Sequence, residues 1–360
     1  MVLTSDVPAQ PRTWDFTIDT FLTKNGIKCT KATPLKGGAS CYVWRLDGLV
    51  RDHDSQVSSD LATKPCVLKV GDTTAKAAAS LSMPPTRMAN EVQALQSEVV
   101  AEACRREPSV QVPFVLRTVQ DGFIMNWVGD MSLRDAYISN PQINAGRIGL
   151  RLGRWLACLH LAGLDNKEVR GWTRETADHV LEIEVQAIRG PLEAHGLAKD
   201  EISHIEAFLR KPSGPQTITP WDFRPMNTLV RLNGTSTPIV TVVDWEICSY
   251  GDPVFDIRLW AAEALVLEAK YGGKRGMLSS FLTAYRHQAG PSIVTETFIR
   301  KVAVTVGTIL LMLIPMELWE CTEDESKLWM KVAVEYVQAG MRGDMEWLRD
   351  SGLKSLMGDL

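Results

Sequence analysis

Residues 220–227 read Pro220-Trp221-Asp222-Phe223-Arg224-Pro225-Met226-Asn227, and residues 242–246 read Val242-Val243-Asp244-Trp245-Glu246. Between them lie two apolar runs, Leu229–Leu232 and Ile239–Val243, connected through Asn233-Gly234, a pair that favours the tight turn of a β-hairpin. A hairpin folds the chain back on itself, so Asp244 returns beside Asn227. The stretch then presents a carboxylate, an amide five residues on, and a second carboxylate at the end of an apolar strand. A carboxylate can orient and deprotonate a hydroxyl. An amide and another carboxylate can hold magnesium through hard oxygen atoms. Singly, Asp and Asn in loops are ordinary turn formers that bond their own backbone; the combination is what points to chemistry.

The order and spacing match the catalytic loop and metal-binding turn of phosphoryl-transfer enzymes. The segment resembles the aminoglycoside phosphotransferase/choline kinase-like superfamily, and within it the 5-methylthioribose kinase and fungal 4-hydroxytryptamine kinase branches. There the loop reads Asp-x-x-x-x-Asn, followed by Asp-x-Glu and a Tyr-Gly-x-x-x-x-Asp tail. This chain has Asp222, Asn227, Asp244-Trp245-Glu246 and Tyr250-Gly251-Asp252-Pro253-Val254-Phe255-Asp256. One departure stands out: many members place His two residues before the catalytic Asp, where this chain has Pro220. The resemblance implies an α+β, bilobal protein-kinase-like fold. Residues 1–128 would form a nucleotide-binding N-lobe, an antiparallel sheet with one main helix. Residues 129–360 would form a larger, mostly helical catalytic and substrate-binding C-lobe.

The resemblance also says which upstream parts to seek. Lys69 lies in the apolar run Cys66-Val67-Leu68-Lys69-Val70, among strand formers. Its expected partner is Glu91, set among Met88, Val92, Leu95 and Val99 at helical spacing, where an unpaired carboxylate would be costly. Glu98, seven residues further, is the competing acid. A glycine turn over the phosphates is expected at Gly37-Gly38, before the aromatic strand at Tyr42-Val43-Trp44; a Gly-Gly pair alone is most often only a turn. The hairpin Val115–Val119, Gln120-Asp121-Gly122, Phe123–Val128 ends in Met125-Asn126-Trp127, where the family's hinge bonds adenine. Glu246 is a further metal ligand by the same resemblance, and Asp256 braces the loop. Arg224 stands where protein kinases carry a γ-phosphate-binding Lys; the competing reading is a solvated loop arginine.

Composition narrows the alternatives. A net charge of −4 over 360 residues supplies no basic field for nucleic acid. Seven scattered cysteines, without metal-site spacing, suggest free thiols in a reducing, cytoplasmic setting. The N-terminus lacks a signal-peptide pattern. The apolar run Val302–Met316, bracketed by Lys301 and Glu317, is shorter than the ~20 residues a membrane span requires and reads as a buried helix. Gly71–Pro85 reads as an N-lobe loop. Helices are expected around Ile148–His160, with His160 a structural hydrogen-bonder, and over Glu175–Arg189, Asp200–Arg210, Pro253–Tyr271, Met277–His287 and Glu325–Gly340.

The expected activity is transfer of the γ-phosphate of ATP, with Mg2+, to a hydroxyl of a small molecule. Acids near aromatics (Glu263, Glu268, Glu317 and Glu320 with Trp260, Tyr271 and Trp319) lean toward a cationic amine acceptor. A protein kinase is disfavoured, because little chain follows Asp244 for a peptide-docking segment. Two rival readings remain: a pseudokinase-like member that binds nucleotide or metabolite without phosphorylating it, and a fold recruited to another reaction.

Overall fold

The structure, a computed structural model, describes residues 17–35, 38, 40–50, 64–76, 78–231, 238–272, 275–316 and 319–358. Gly37, the Asn233-Gly234 turn and Glu317 lie outside them.

A short helix, α1 (Ile18–Lys24), precedes strands β1 (Lys31–Pro34), β2 (Tyr42–Asp47) and β3 (Cys66–Val70). After β4 (Thr74–Ala75) and β5 (Ala78–Ser82) come helices α2 (Arg87–Gln96) and α3 (Glu98–Arg106). Strands β6 (Val110–Gln111), β7 (Val115–Val119) and β8 (Gly122–Asn126) close this part. The main sheet runs β1-β2-β3-β8-β7 with every neighbour antiparallel. Strand β3 lies at its centre and is buried at all five positions. Side chains alternate faces along a strand. Cys66, Leu68 and Val70 therefore join Phe21, Leu22 and Ile27 near α1, while Val67 packs in the main core with Met88 of α2. Lys69 shares the Val67 face, and so is aimed at α2.

The remainder is mostly helical: α4 (Leu133–Ser139), α5 (Ala145–Gly163), α6 (Lys167–Arg170), α7 (Glu175–Ala187), α8 (Arg189–Ala194) and α9 (Lys199–Arg210). Strands β9 (Thr217–Thr219), β10 (Thr228–Arg231), β11 (Ile239–Val242) and β12 (Ser249–Gly251) carry the loop and turn singled out above. They lead into α10 (Val254–Lys270), α11 (Met277–Ala289), α12 (Glu296–Leu313), α13 (Glu323–Arg342), α14 (Met345–Asp350) and α15 (Lys354–Met357). The antiparallel sheet followed by a helical remainder is the α+β architecture expected. Helices α5 and α11 approach closely because Gly149 and Gly153 have no side chain: a Cβ there would lie 2.2 and 2.3 Å from the Met277 and Phe281 carbonyl oxygens.

Two local expectations are corrected. The single apolar stripe from Met88 to Val99 is two helices, because Ser97 adopts an extended backbone (φ −74°, ψ 144°) and caps α3 by accepting from Val100 N–H. The expected loop over Gly71–Pro85 contains the β4–β5 pair. The apolar run beginning at Val302 is a buried helix as expected, and Lys301 lies inside α12, buried and bonded to Asp252 and the Lys211 carbonyl. Among the described residues, no helix is long and apolar enough to cross a membrane.

Candidate active site

Strand β9 delivers the chain to Asp222 through a strained residue. Trp221 has a left-handed φ of +69°, an unusual conformation for a bulky side chain. Its neighbours hold it there. Its ring stacks on Phe255 at 3.9 Å, and its N–H donates to Asp256 Oδ1 at 2.6 Å. Asp256 Oδ2 meets His160 Nε2 at 2.9 Å, and His160 Nδ1 meets Tyr285 OH at 2.7 Å, all buried. The loop whose generic His is replaced by Pro220 is therefore supported from α5, α10 and α11.

Beyond Asp222 a single 3-10 turn, Pro225–Asn227, brings the amide back. Asn227 Nδ2 donates to Asp222 Oδ2 at 2.7 Å and to the Asp222 carbonyl at 3.1 Å, which leaves Asn227 Oδ1 for another partner. The β10–β11 hairpin then forms as expected, pairing Thr228 with Val242 through to Arg231 with Ile239. Val243 N–H donates to the Asn227 carbonyl at 2.9 Å. Asp244 follows, itself left-handed at φ +68°.

From the sheet side, Lys69 Nζ lies 2.5 Å from Glu91 Oε2 and 2.5 Å from Asp244 Oδ1, and Trp245 N–H donates to Glu91 Oε1 at 3.3 Å. Glu91 is thus the partner of Lys69. The competing Glu98 is exposed on α3 and pairs with Arg105. Burial alone would lower the Lys69 pKa, but the Asp244, Glu91 and Glu246 carboxylates hold it well above the usual range. Burial pushes Glu91 up, with Lys69 opposing. Asp244 ends below the usual range because Lys69 outweighs its own burial. Burial raises Asp222 to about 7, against the pull of Arg224 and with repulsion from Asp244 and Glu263.

Glu246 is more engaged than a free ligand. One oxygen accepts from Ser40 Oγ; the other accepts from Cys41 Sγ at 2.9 Å and Arg87 Nε at 3.2 Å. Arg87, wholly buried, also donates to the Asp72 and Ser40 carbonyls. Gly38 is left-handed (φ +74°) beside Cys41. In the proposed hinge, Met125 pairs with Val67 in the sheet, while the N–H groups of Asn126 and Trp127 are taken by the Phe114 and Pro65 carbonyls. Arg224 is no solvated arginine: Nε is 3.1 Å from Asp222 Oδ1 and Nη1 is 3.3 Å from Glu263 Oε1.

Two acids retain appreciable contact with solvent: the Asp222 side chain is 20% exposed and Asp244 25%. Oxygens of Glu91, Asp244 and Glu246 lie within 4.8 Å of one another, and Asn227 Oδ1 belongs to the neighbouring loop. Carboxylate and amide oxygens are the donor set magnesium takes, so these residues fit that ion. Sequence reasoning missed Arg87, Ser40, Cys41 and the loop contacts of Glu263. Of the acids that gave the lean toward an amine acceptor, Glu263 faces Arg224 and Glu268 caps α11 through Leu278 N–H at 3.0 Å.

The chain belongs to the phosphotransferase enzyme family, whose profile matches residues 66–291. It is 25% identical over 234 residues to a 4-hydroxytryptamine kinase from Psilocybe cyanescens, a match covering 60% of this chain and 63% of that protein. Among solved structures, a choline kinase from Cryptosporidium parvum has the same fold at 11% identity, with a TM-score of 0.50 over 96% of this chain and 94% of that one. A type I macrolide 2'-phosphotransferase is similar over 89% of this chain and 93% of its own, with a TM-score of 0.48 and 15% identity.

Proposed function

We propose that this chain transfers the γ-phosphate of ATP to a hydroxyl of a small molecule, with an amine or another secondary metabolite as the acceptor class to test first. Residues 1–128 would hold the nucleotide, and residues 129–360 the catalytic loop and acceptor. One observation carries the reading: Asp222 and Asn227 converge with Lys69, Glu91 and Asp244, although Lys69 and Asp244 are 175 residues apart.

Asp222 orients the acceptor hydroxyl and takes its proton as the oxygen bonds to the γ-phosphorus. The bond to the bridging oxygen breaks, and ADP leaves. Lys69, fixed by Glu91, positions the α- and β-phosphates, and Arg224 supplies the positive charge nearest Asp222. Asn227 and Asp244 would hold Mg2+, with Glu246 as a further oxygen donor. When bound, the ion neutralises charge on the phosphates. The Gly37-Gly38 turn would cover the phosphates. The Met125-Asn126-Trp127 link would border adenine, offering carbonyl oxygens where its N–H groups are already used.

The test is ADP release from MgATP across a panel of hydroxylated amines, sugars and alcohols, run beside Asp222→Ala. Acceptor-dependent ADP that disappears in the variant supports the reading. Magnesium-dependent ATP binding without turnover for any acceptor would support the non-phosphorylating alternative instead.

A further inference from the structure

Helix α10 carries two buried acids two turns apart, and both face the catalytic loop. Asp256 accepts the Trp221 N–H, immediately before Asp222. Glu263 accepts the Met226 N–H at 3.3 Å through Oε2 and Arg224 Nη1 at 3.3 Å through Oε1, just after it. Residues seven apart lie on one helix face, so a single rigid element grips the loop on either side of Asp222. Glu263 sits in the apolar run Trp260-Ala261-Ala262-Glu263-Ala264 and is 1% exposed, where a carboxylate without partners would be costly. Arg224 Nε approaches Asp222 Oδ1 at 3.1 Å without an aligned hydrogen bond, so that contact acts through charge. Burial raises the Glu263 pKa, while Arg224, the Met226 N–H and Arg134 oppose it.

We infer that Glu263 is a positioning residue: through Arg224 and the Met226 N–H it sets the second half of the loop so that the Asp222 carboxylate keeps its partly exposed position. Its charge is consumed within the protein rather than offered to a cationic acceptor. The inference rests on the phosphotransfer reading above.

The test uses the full chain and two variants. Glu263→Gln keeps an oxygen for Met226 but loses the charge facing Arg224. We expect kcat to fall at least tenfold while KM for MgATP and for the acceptor stays within twofold. Arg224→Met should cost less in the Glu263→Gln background than in the wild type. An acceptor KM raised tenfold at unchanged kcat would make Glu263 a substrate contact and overturn the inference, as would unchanged kinetics. Glu263→Leu is read by amide hydrogen exchange with MgATP present, which needs no acceptor. Exchange at Met226 at least tenfold faster supports the clamp; unchanged exchange sinks it even if the wild type proves inactive. Should Glu263→Leu fail to fold, the Glu263→Gln kinetics still decide.

Discussion

Two charge clusters adjoin where Asp244 and Asp222 approach each other, and they are built differently. Around Lys69 and Arg87, two cations meet three carboxylates drawn from β3, α2, the Ser40 turn and the Asp244-Trp245-Glu246 turn. Around Arg224, one cation meets two carboxylates, one in the loop itself and one on the helix beneath it. The first exists only when distant parts of the chain assemble, and its acids other than Asp244 are nearly sealed from water. The second is largely local and keeps Asp222 partly exposed. Damage to the first should therefore show mainly as lost stability, and damage to the second mainly as lost turnover.

The largest effect should come from the second cluster. Asp222→Asn should lower kcat by about 10³-fold, within the range of a general base, while MgATP still binds in calorimetry. Wild-type turnover in that variant would remove the distinction. Arg87→Leu strikes the first cluster, leaving Glu246 without its guanidinium and two carbonyls without donors. Breaking a buried pair in this way costs roughly 3–5 kcal/mol, read as a lower urea midpoint; a loss below about 1 kcal/mol would mean water replaces Arg87 readily. Gly122→Ala should cost about 1–3 kcal/mol, because a Cβ there lies 2.2 Å from the Lys69 carbonyl oxygen. Its activity loss should follow the displacement of Lys69 and appear in KM for ATP.

The smallest effect has the opposite sign. Asp222 titrates near 7 in the folded chain and near 4 unfolded. Between those values the native state binds the extra proton, so stability falls as pH rises through that window. Asp222→Asn removes the penalty. Without ligand its Tm should exceed wild type by about 2–4 °C at pH 8, with the gap closing toward pH 4. An equal gap at both pH values would show that charge is not the cause.

Asp222, Asn227 and Asp244 were legible together because a tight loop and a hairpin end dictate their spacing, whereas Lys69 was found only because the family resemblance said to seek a lysine on a buried strand. Arg87 was not legible, since nothing beside it announces that Asp72, Ser40 and Glu246 converge there. Glu263 did carry a signal that went unread. A lone carboxylate inside an apolar helical run must find a buried partner, and its partner was an arginine already singled out. The break at Ser97 was also written in the chain, because a serine at that point competes with the helix for its own backbone. Apolar periodicity alone carried the helix through it.

The left-handed backbone at Asp244 has an evolutionary corollary. Glycine adopts that conformation without the roughly 1 kcal/mol a side chain incurs, so Asp244→Gly would recover at the backbone part of the stability lost with the Lys69 ion pair, at the position that the proposed chemistry requires most. A lineage released from selection on turnover would therefore tolerate glycine there better than alanine. Inactive descendants of this chain should carry glycine at that position more often than alanine.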